Sequence, residues 1–279
     1  MLKKIISHIK KIIKYSFCGI PATNVSVNIV LKSPNSNLQG RKILITGGSR
    51  GLGLAMAKKF KDEGADIVIT GRDKAALSES ADKFGLHYIV CDLRDEDSFT
   101  TVINQASKLL NGLDTLVNNA GISLHEWEID KVTTDGYGKQ FDTNLKAAYF
   151  LSQQFIKQVE QTGIKSANIL FMSSERSQTA DIIPYGLTKA AINSLVQGLA
   201  KRYTRTGIRV NAVAPGITAT EMTGFNKDHN LFCAANTNKR VYLPEEVAEI
   251  ACFLISDTAK CLSGQILVCN EAKTINSYF

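Results

Sequence analysis

The chain has 279 residues, 44% of them hydrophobic and 21% charged, and a formal charge of +7, which fits one large soluble α/β domain. Six of the 33 basic residues are lysines in residues 1–39, where no Asp, Glu or Arg stands. Beyond them 27 basic residues face 26 acidic ones, so the main body has no basic face of the kind nucleic acid needs. The six cysteines form no C-x-x-C pair and no His cluster accompanies them. A metal site is therefore not expected, most cysteines read as small core residues, and a reducing cytoplasm is the natural compartment. No segment resembles a cleavable signal peptide.

The first element is "MLKKIISHIKKIIKYSF". Helical spacing puts Leu2, Ile5, Ile6, Ile9, Ile12, Ile13 and Phe17 on one face and Lys3, Lys4, Lys10, Lys11 and Lys14 on the other. It is too short and too charged to span a bilayer. A basic amphipathic helix can lie on an anionic membrane surface, or its apolar stripe can pack on this protein or on a partner subunit. His8 reads as a surface residue. "VSVNIVLKSP", Val25 to Pro34, alternates like a strand but fits a loop equally. Residues 1–39 are thus an extension, and 40–279 form the main domain.

From Arg41 the pattern alternates. "KILIT", "DIVIT", "HYIVCD", "LDTLVNNAG", "SANILFMSS", "GIRVNAVAPG" and "GQILVCN" are short apolar runs separated by segments of helical spacing. Such runs read as buried parallel strands with crossover helices. The expected fold is a single α/β, Rossmann-type, doubly wound, seven-stranded parallel sheet with helices on both faces.

"TGGSRGLG", Thr46 to Gly53, joins the first strand to the first helix. Its glycines allow a tight turn and let backbone N–H groups approach a pyrophosphate at the helix N-terminus. The expected contacts are Gly47, Ser49, Arg50, Gly51, Leu52 and Gly53. The second strand ends in "TGRD". An acidic side chain there would grip a ribose 2′-hydroxyl, whereas an arginine accepts a 2′-phosphate. Arg72 with Arg50 therefore points to NADP(H) rather than NAD(H), and Asp73 reads as the N-cap of the next helix.

With these segments in order, the sequence resembles the short-chain dehydrogenase/reductases. The matching pieces are Thr46–Gly53, "CDL" at Cys91–Leu93, "NNAG" at Asn118–Gly121, "TN" at Thr143–Asn144, "SS" at Ser173–Ser174, "YGLTK" at Tyr185–Lys189 and "PG" at Pro215–Gly216. They span about residues 40 to 270, in family order. The resemblance implies a catalytic set of Asn144, Ser174, Tyr185 and Lys189, with Ser173 the alternative serine. Asp92, Leu93, Asn118, Asn119, Ala120, Gly121, Pro215, Gly216, Thr218 and Thr220 are the implied further cofactor contacts, and Tyr185 and Lys189 meet the cofactor too, Lys189 at the nicotinamide ribose. Asn144 would hold a water that relays protons to Lys189. The implied activity interconverts a carbonyl and a secondary alcohol, as a ketoreductase similar to 3-oxoacyl-carrier-protein reductases. An NAD-dependent alcohol dehydrogenase and a cofactor-binding scaffold without turnover are the rivals.

Chemistry agrees with the implied roles. A carbonyl that receives hydride needs a proton at its developing alkoxide. Free tyrosine, with a pKa of about 10, is a poor acid–base group near neutrality. A nearby Lys⁺ and the cofactor's positive nicotinamide favour phenolate, and lowering the pKa by about three units corresponds to roughly 4 kcal/mol.

Three departures from the family pattern stand out: a short interval from Ser174 to Tyr185, "CNEAK" after the last strand, and the basic extension. Substrate contacts are expected from Ser123 to Trp127, from Glu175 and Arg176, and from a lid at Gly224–Phe232. A homotetramer or homodimer is expected through the long helices carrying Asn144 and Tyr185, with Ile192 and Leu195 facing outward, and through the last strand.

Overall fold

The computed structural model describes residues 36–275; the expectations for residues 1–17 and 25–34 lie outside them. Seven strands form one parallel sheet in the order β3-β2-β1-β4-β5-β6-β7. They are β1 (Lys42–Thr46), β2 (Asp66–Gly71), β3 (His87–Val90), β4 (Thr115–Asn118), β5 (Ala167–Met172), β6 (Ile208–Pro215) and β7 (Ile266–Cys269). The helices are α1 (Gly51–Asp62), α2 (Lys74–Phe84), α3 (Ser98–Leu109), α4 (Thr134–Phe141), α5 (Ala147–Thr162), α6 (Pro184–Tyr203) and α7 (Pro244–Ile255). A π turn, Asp142–Lys146, joins α4 to α5.

The strands read as unbroken apolar runs because both faces of the sheet are covered. Successive side chains point to opposite faces, so Leu44 joins the core under α3, α5 and α6. Its neighbours Ile43 and Ile45 join the core under α1, α2 and α7. Leu38 is fully buried in that second core, and its N–H donates to the Glu63 carbonyl. The folded body therefore begins slightly before residue 40.

Strand order reverses between β1 and β4, which lie side by side. The connections leaving them run to opposite sides, so a crevice opens at their carboxyl ends. All the sequence motifs fall at or near this end of the sheet.

One expectation needs correction. Ile192 is 2% exposed and belongs to the core, because its place on α6 faces the sheet. Cys261 is exposed, unlike the buried Cys233 and Cys252.

Candidate active site

The phosphate loop is held by backbone geometry. Gly47 has φ +65°, and a Cβ there would lie 3.1 Å from the Ala120 Cα. A Cβ on Gly53 would fall inside the Gly47 carbonyl oxygen and 2.6 Å from the Asn119 amide nitrogen. Asn119 Nδ2 donates to the carbonyls of Thr46 and Gly47, both at 2.9 Å. Thr46 Oγ1 accepts the N–H groups of Asn119 and Ala120, both at 3.0 Å. The loop is thus laced to the end of β4. Arg50 is the N-cap of α1 and offers no side-chain cap, so the first N–H groups of the helix face the crevice without that partner. Gly51 has φ +54°, and Thr220 lies over it, 3.6 Å from where a Cβ would be. Ser49 accepts the Ser80 hydroxyl through its carbonyl. The Leu52 side chain packs on the core. These residues fit a dinucleotide pyrophosphate, because the space a side chain would fill is kept empty and uncapped donors face it.

At the far end of the crevice Arg72 is exposed at the end of β2, and Asp73 caps α2 by accepting the Ala76 N–H at 3.1 Å. Arg50 does not reach toward Arg72: its guanidinium sits 2.7 Å from Glu221, and both side chains are exposed. An unshielded arginine takes the nearest carboxylate. Asp92 is clamped by Arg94, whose Nη2 lies 2.5 Å from Oδ2 and whose N–H and Nε also donate. The clamp, helped by Arg72, pulls the Asp92 carboxyl down to about 2. Leu93 is buried in the core, so only its backbone can meet a cofactor. Asn118 points away from the crevice and bonds Ser152 of α5; strand alternation puts Asn118 and Asn119 on opposite sides.

The catalytic candidates converge from β5, the π turn and α6. Tyr185 stands in the first turn of α6, which Pro184 opens. The Ser174 hydroxyl faces the Tyr185 phenol closely enough to favour phenolate and accepts the Arg176 N–H at 3.3 Å. Ser173 is turned the other way, with its hydroxyl donating to Asn193 Oδ1 at 2.7 Å. Of the two serines, Ser174 is the one at the tyrosine. Lys189 is buried, its Nζ 2.7 Å from the Met172 carbonyl and 5.6 Å from the centroid of the Tyr185 ring. Burial pushes the lysine down to about 8. The phenol is pushed up by burial, against the pull of the Ser174 bond and the Arg176 charge. The expected lowering rests on Lys189 together with the positive nicotinamide; in the chain itself burial dominates and the ammonium lies over the ring.

Asn144 is fixed in the π turn. Its Oδ1 accepts the Ile122 N–H at 2.8 Å, and its Nδ2 donates to the Ile122 carbonyl and to Thr188 Oγ1. The side chain is therefore spent on structure, and a water held by Asn144 would have to use its backbone. Gly121 keeps the space between Asn144 and Lys189 open, a Cβ there lying 3.6 Å from Lys189 Nζ. Pro215 ends β6. At Gly216 a Cβ would meet the Tyr242 ring at 2.8 Å, and Thr218 Oγ1 donates to the Gly216 carbonyl.

Glu175 and Arg176 do not offer free charges to a substrate. Glu175 is buried and paired with Lys273 at 2.6 Å, and Arg176 is paired with Asp181 at 2.6 Å, because partly desolvated charges need partners. The Gly224–Phe232 segment is anchored at its end: Leu231 packs with Ala219, Cys233, Val241 and Leu243, and Phe225 packs against them. Asp181, Thr188 and Lys273 were missed in the sequence. The short interval before Tyr185 was the only signal for Asp181, and "CNEAK" the only one for Lys273.

The family model described as enoyl-(acyl carrier protein) reductase matches residues 47–271. The 3-oxoacyl-(acyl-carrier-protein) reductase of Aquifex aeolicus (strain VF5) is 32% identical over 84% of this chain and 97% of that protein. Among solved structures, the 3-ketoacyl-(acyl-carrier-protein) reductase of Brucella melitensis complexed with NADH superposes with a TM-score of 0.78 at 26% identity, covering 85% of this chain and 100% of that one. A short chain dehydrogenase of Burkholderia cenocepacia J2315 in complex with NADP superposes with a TM-score of 0.74 at 27% identity, over 84% and 98% of the two chains.

Proposed function

The chain belongs to the short-chain dehydrogenase/reductase family, and from that premise we propose an NADP(H)-dependent ketoreductase in which Tyr185 passes the proton between a carbonyl and a secondary alcohol. The observation that carries the reading is the Ser174 hydroxyl on the Tyr185 phenol with the Lys189 ammonium over the same ring. When bound, the nicotinamide supplies or removes a hydride at the carbonyl carbon. Tyr185 donates its phenolic proton to the oxygen, which gains charge in reduction. Ser174 orients that phenol and donates to the same oxygen. The Lys189 ammonium over the ring favours the phenolate left behind. Asn144, through its bonds to Ile122 and Thr188, fixes the turn behind Lys189.

NADP(H) is favoured by Arg72 at the end of β2, where no carboxylate is free to hold a 2′-hydroxyl: Asp73 is committed to capping α2. The observation favouring NAD(H) is the Arg50–Glu221 pair, which leaves Arg72 to hold a 2′-phosphate without Arg50. The substrate is a small carbonyl or alcohol compound, and exposed Trp127 and Ile182 near Arg176 and Asp181 suit an apolar body. A homodimer or homotetramer is supported by exposed Tyr149, Phe150 and Leu187 on α5 and α6. A cytoplasmic protein with a peripheral contact to an anionic membrane through residues 1–17 is supported by their five lysines alone; no described helix is long and apolar enough to cross a membrane.

The test is a panel of ketones, 3-oxoacyl thioesters and secondary alcohols, run with each reduced and oxidised cofactor. Turnover with NADPH exceeding that with NADH supports the reading. Turnover confined to NAD⁺ and alcohols would replace it, and tight cofactor binding without turnover across the panel would favour the scaffold.

A further inference from the structure

The segment between Ser174 and Tyr185 is short, and it is braced by one ion pair. Arg176 Nε and Nη2 grip the two oxygens of Asp181 at 2.6 and 2.7 Å. This is the bidentate geometry that fixes both partners. Asp181 Oδ1 also accepts the N–H groups of Ile182 and Ile183, at 2.8 and 3.2 Å, just before α6 begins. Its side chain is only 6% exposed and lies against Gly186, where no Cβ could be placed. On the other side, the Arg176 N–H is bonded to Ser174 Oγ, and the guanidinium carbon lies 5.6 Å from the centroid of the Trp127 ring. One arginine therefore connects the serine, the start of the tyrosine helix and the rim of the crevice.

We propose that Arg176 is a positioning residue: through Asp181 it braces the Ser174–Tyr185 segment and so keeps the Ser174 hydroxyl at the Tyr185 phenol. The inference rests on Tyr185 being the proton donor.

The charges around Tyr185 support an active part for Arg176. Glu175 opposes phenolate, but Lys273 lies 2.6 Å from its carboxylate. Ser174 favours phenolate by hydrogen bonding, and Lys189 faces the ring. Asp181 is held by Arg176 and by two backbone N–H groups, and Thr188 donates to the Tyr185 carbonyl rather than to its phenol. The Arg176 charge favours phenolate as well, after Ser174 and against burial.

The test is an ultraviolet difference titration of phenolate in the full chain, taking the signal lost in Tyr185→Phe as that of Tyr185. It needs no substrate, so its outcome is separate from whether the panel reveals turnover. Arg176→Gln should move the Tyr185 step to higher pH by about one unit, and Arg176→Lys should restore most of the difference. If Arg176→Gln does not fold, Arg176→Met, which keeps the stem beneath Trp127, is read the same way. A Tyr185 step at the wild-type pH in a folded Gln or Met variant would overturn the proposal, because a brace that does not place Ser174 at the phenol would leave the titration where it was.

Discussion

The two ends of the crevice are built from different materials. At the phosphate end the working groups are backbone: positive φ angles at Gly47 and Gly51, empty Cβ positions at Gly47 and Gly53, and uncapped N–H groups of α1. At the catalytic end they are buried or half-buried side chains, Ser174, Tyr185 and Lys189, whose charge states are set by burial and by neighbours. Substitution at the first end therefore fails by collision, and at the second by altered proton affinity.

The largest effect should come from collision. Gly53→Ala puts a methyl group into the Gly47 carbonyl, where backbone rather than a flexible side chain must give way. A loss of about 3 kcal/mol in stability is expected, together with loss of cofactor binding. A variant with wild-type melting temperature and cofactor affinity would break the first half of the comparison.

Lys189→Met should act in the opposite direction. Burial holds Lys189 down to about 8 against an ordinary 10.5. Below pH 8 the native state carries a buried charge that the unfolded chain carries in water, so the penalty is fully present there. It fades as pH rises from 8 to 10.5 and is gone above that, where the lysine is neutral in both states. Removing the lysine should stabilise the fold by about 2 kcal/mol at neutral pH, after the lost bond to the Met172 carbonyl is subtracted, and above pH 10.5 should cost about 1 kcal/mol for that bond alone, while turnover falls. Urea denaturation across pH reads this, and a variant less stable than wild type at neutral pH would show that the lysine's own bond outweighs its desolvation.

The smallest of these effects belongs to a side chain at the backbone-built end. Arg72 is exposed, so screening keeps its contact with a 2′-phosphate at the low end of a charged hydrogen bond. Arg72→Ala should weaken NADPH by about 1.5 kcal/mol, roughly tenfold, and leave NADH unchanged. Equal weakening of both cofactors in isothermal titration would mean that Arg72 holds structure rather than phosphate.

The same contrast explains what was legible in the sequence. The sheet, its order of elements and the phosphate loop could be read because continuous apolar runs and glycines at a strand–helix junction have few other uses. Tyr185 and Lys189 could be read because four residues on a helix fix their relation. Ser174 was separable from Ser173 only once the end of β5 showed which hydroxyl faced the tyrosine. The pairings of Arg50 with Glu221, Glu175 with Lys273 and Arg176 with Asp181 could not be read. Their partners come from loops whose approach depends on the finished fold, and a charged residue in a loop looks the same whether it meets solvent, substrate or another side chain.

The central claim is that Tyr185 moves the proton, and Tyr185→Phe tests it most directly, with turnover and NADPH dissociation constant measured on the same preparation. The account predicts turnover lower by about a hundredfold or more with the dissociation constant unchanged, because the ring stays and only the donor leaves. A Phe variant that keeps wild-type turnover would contradict it.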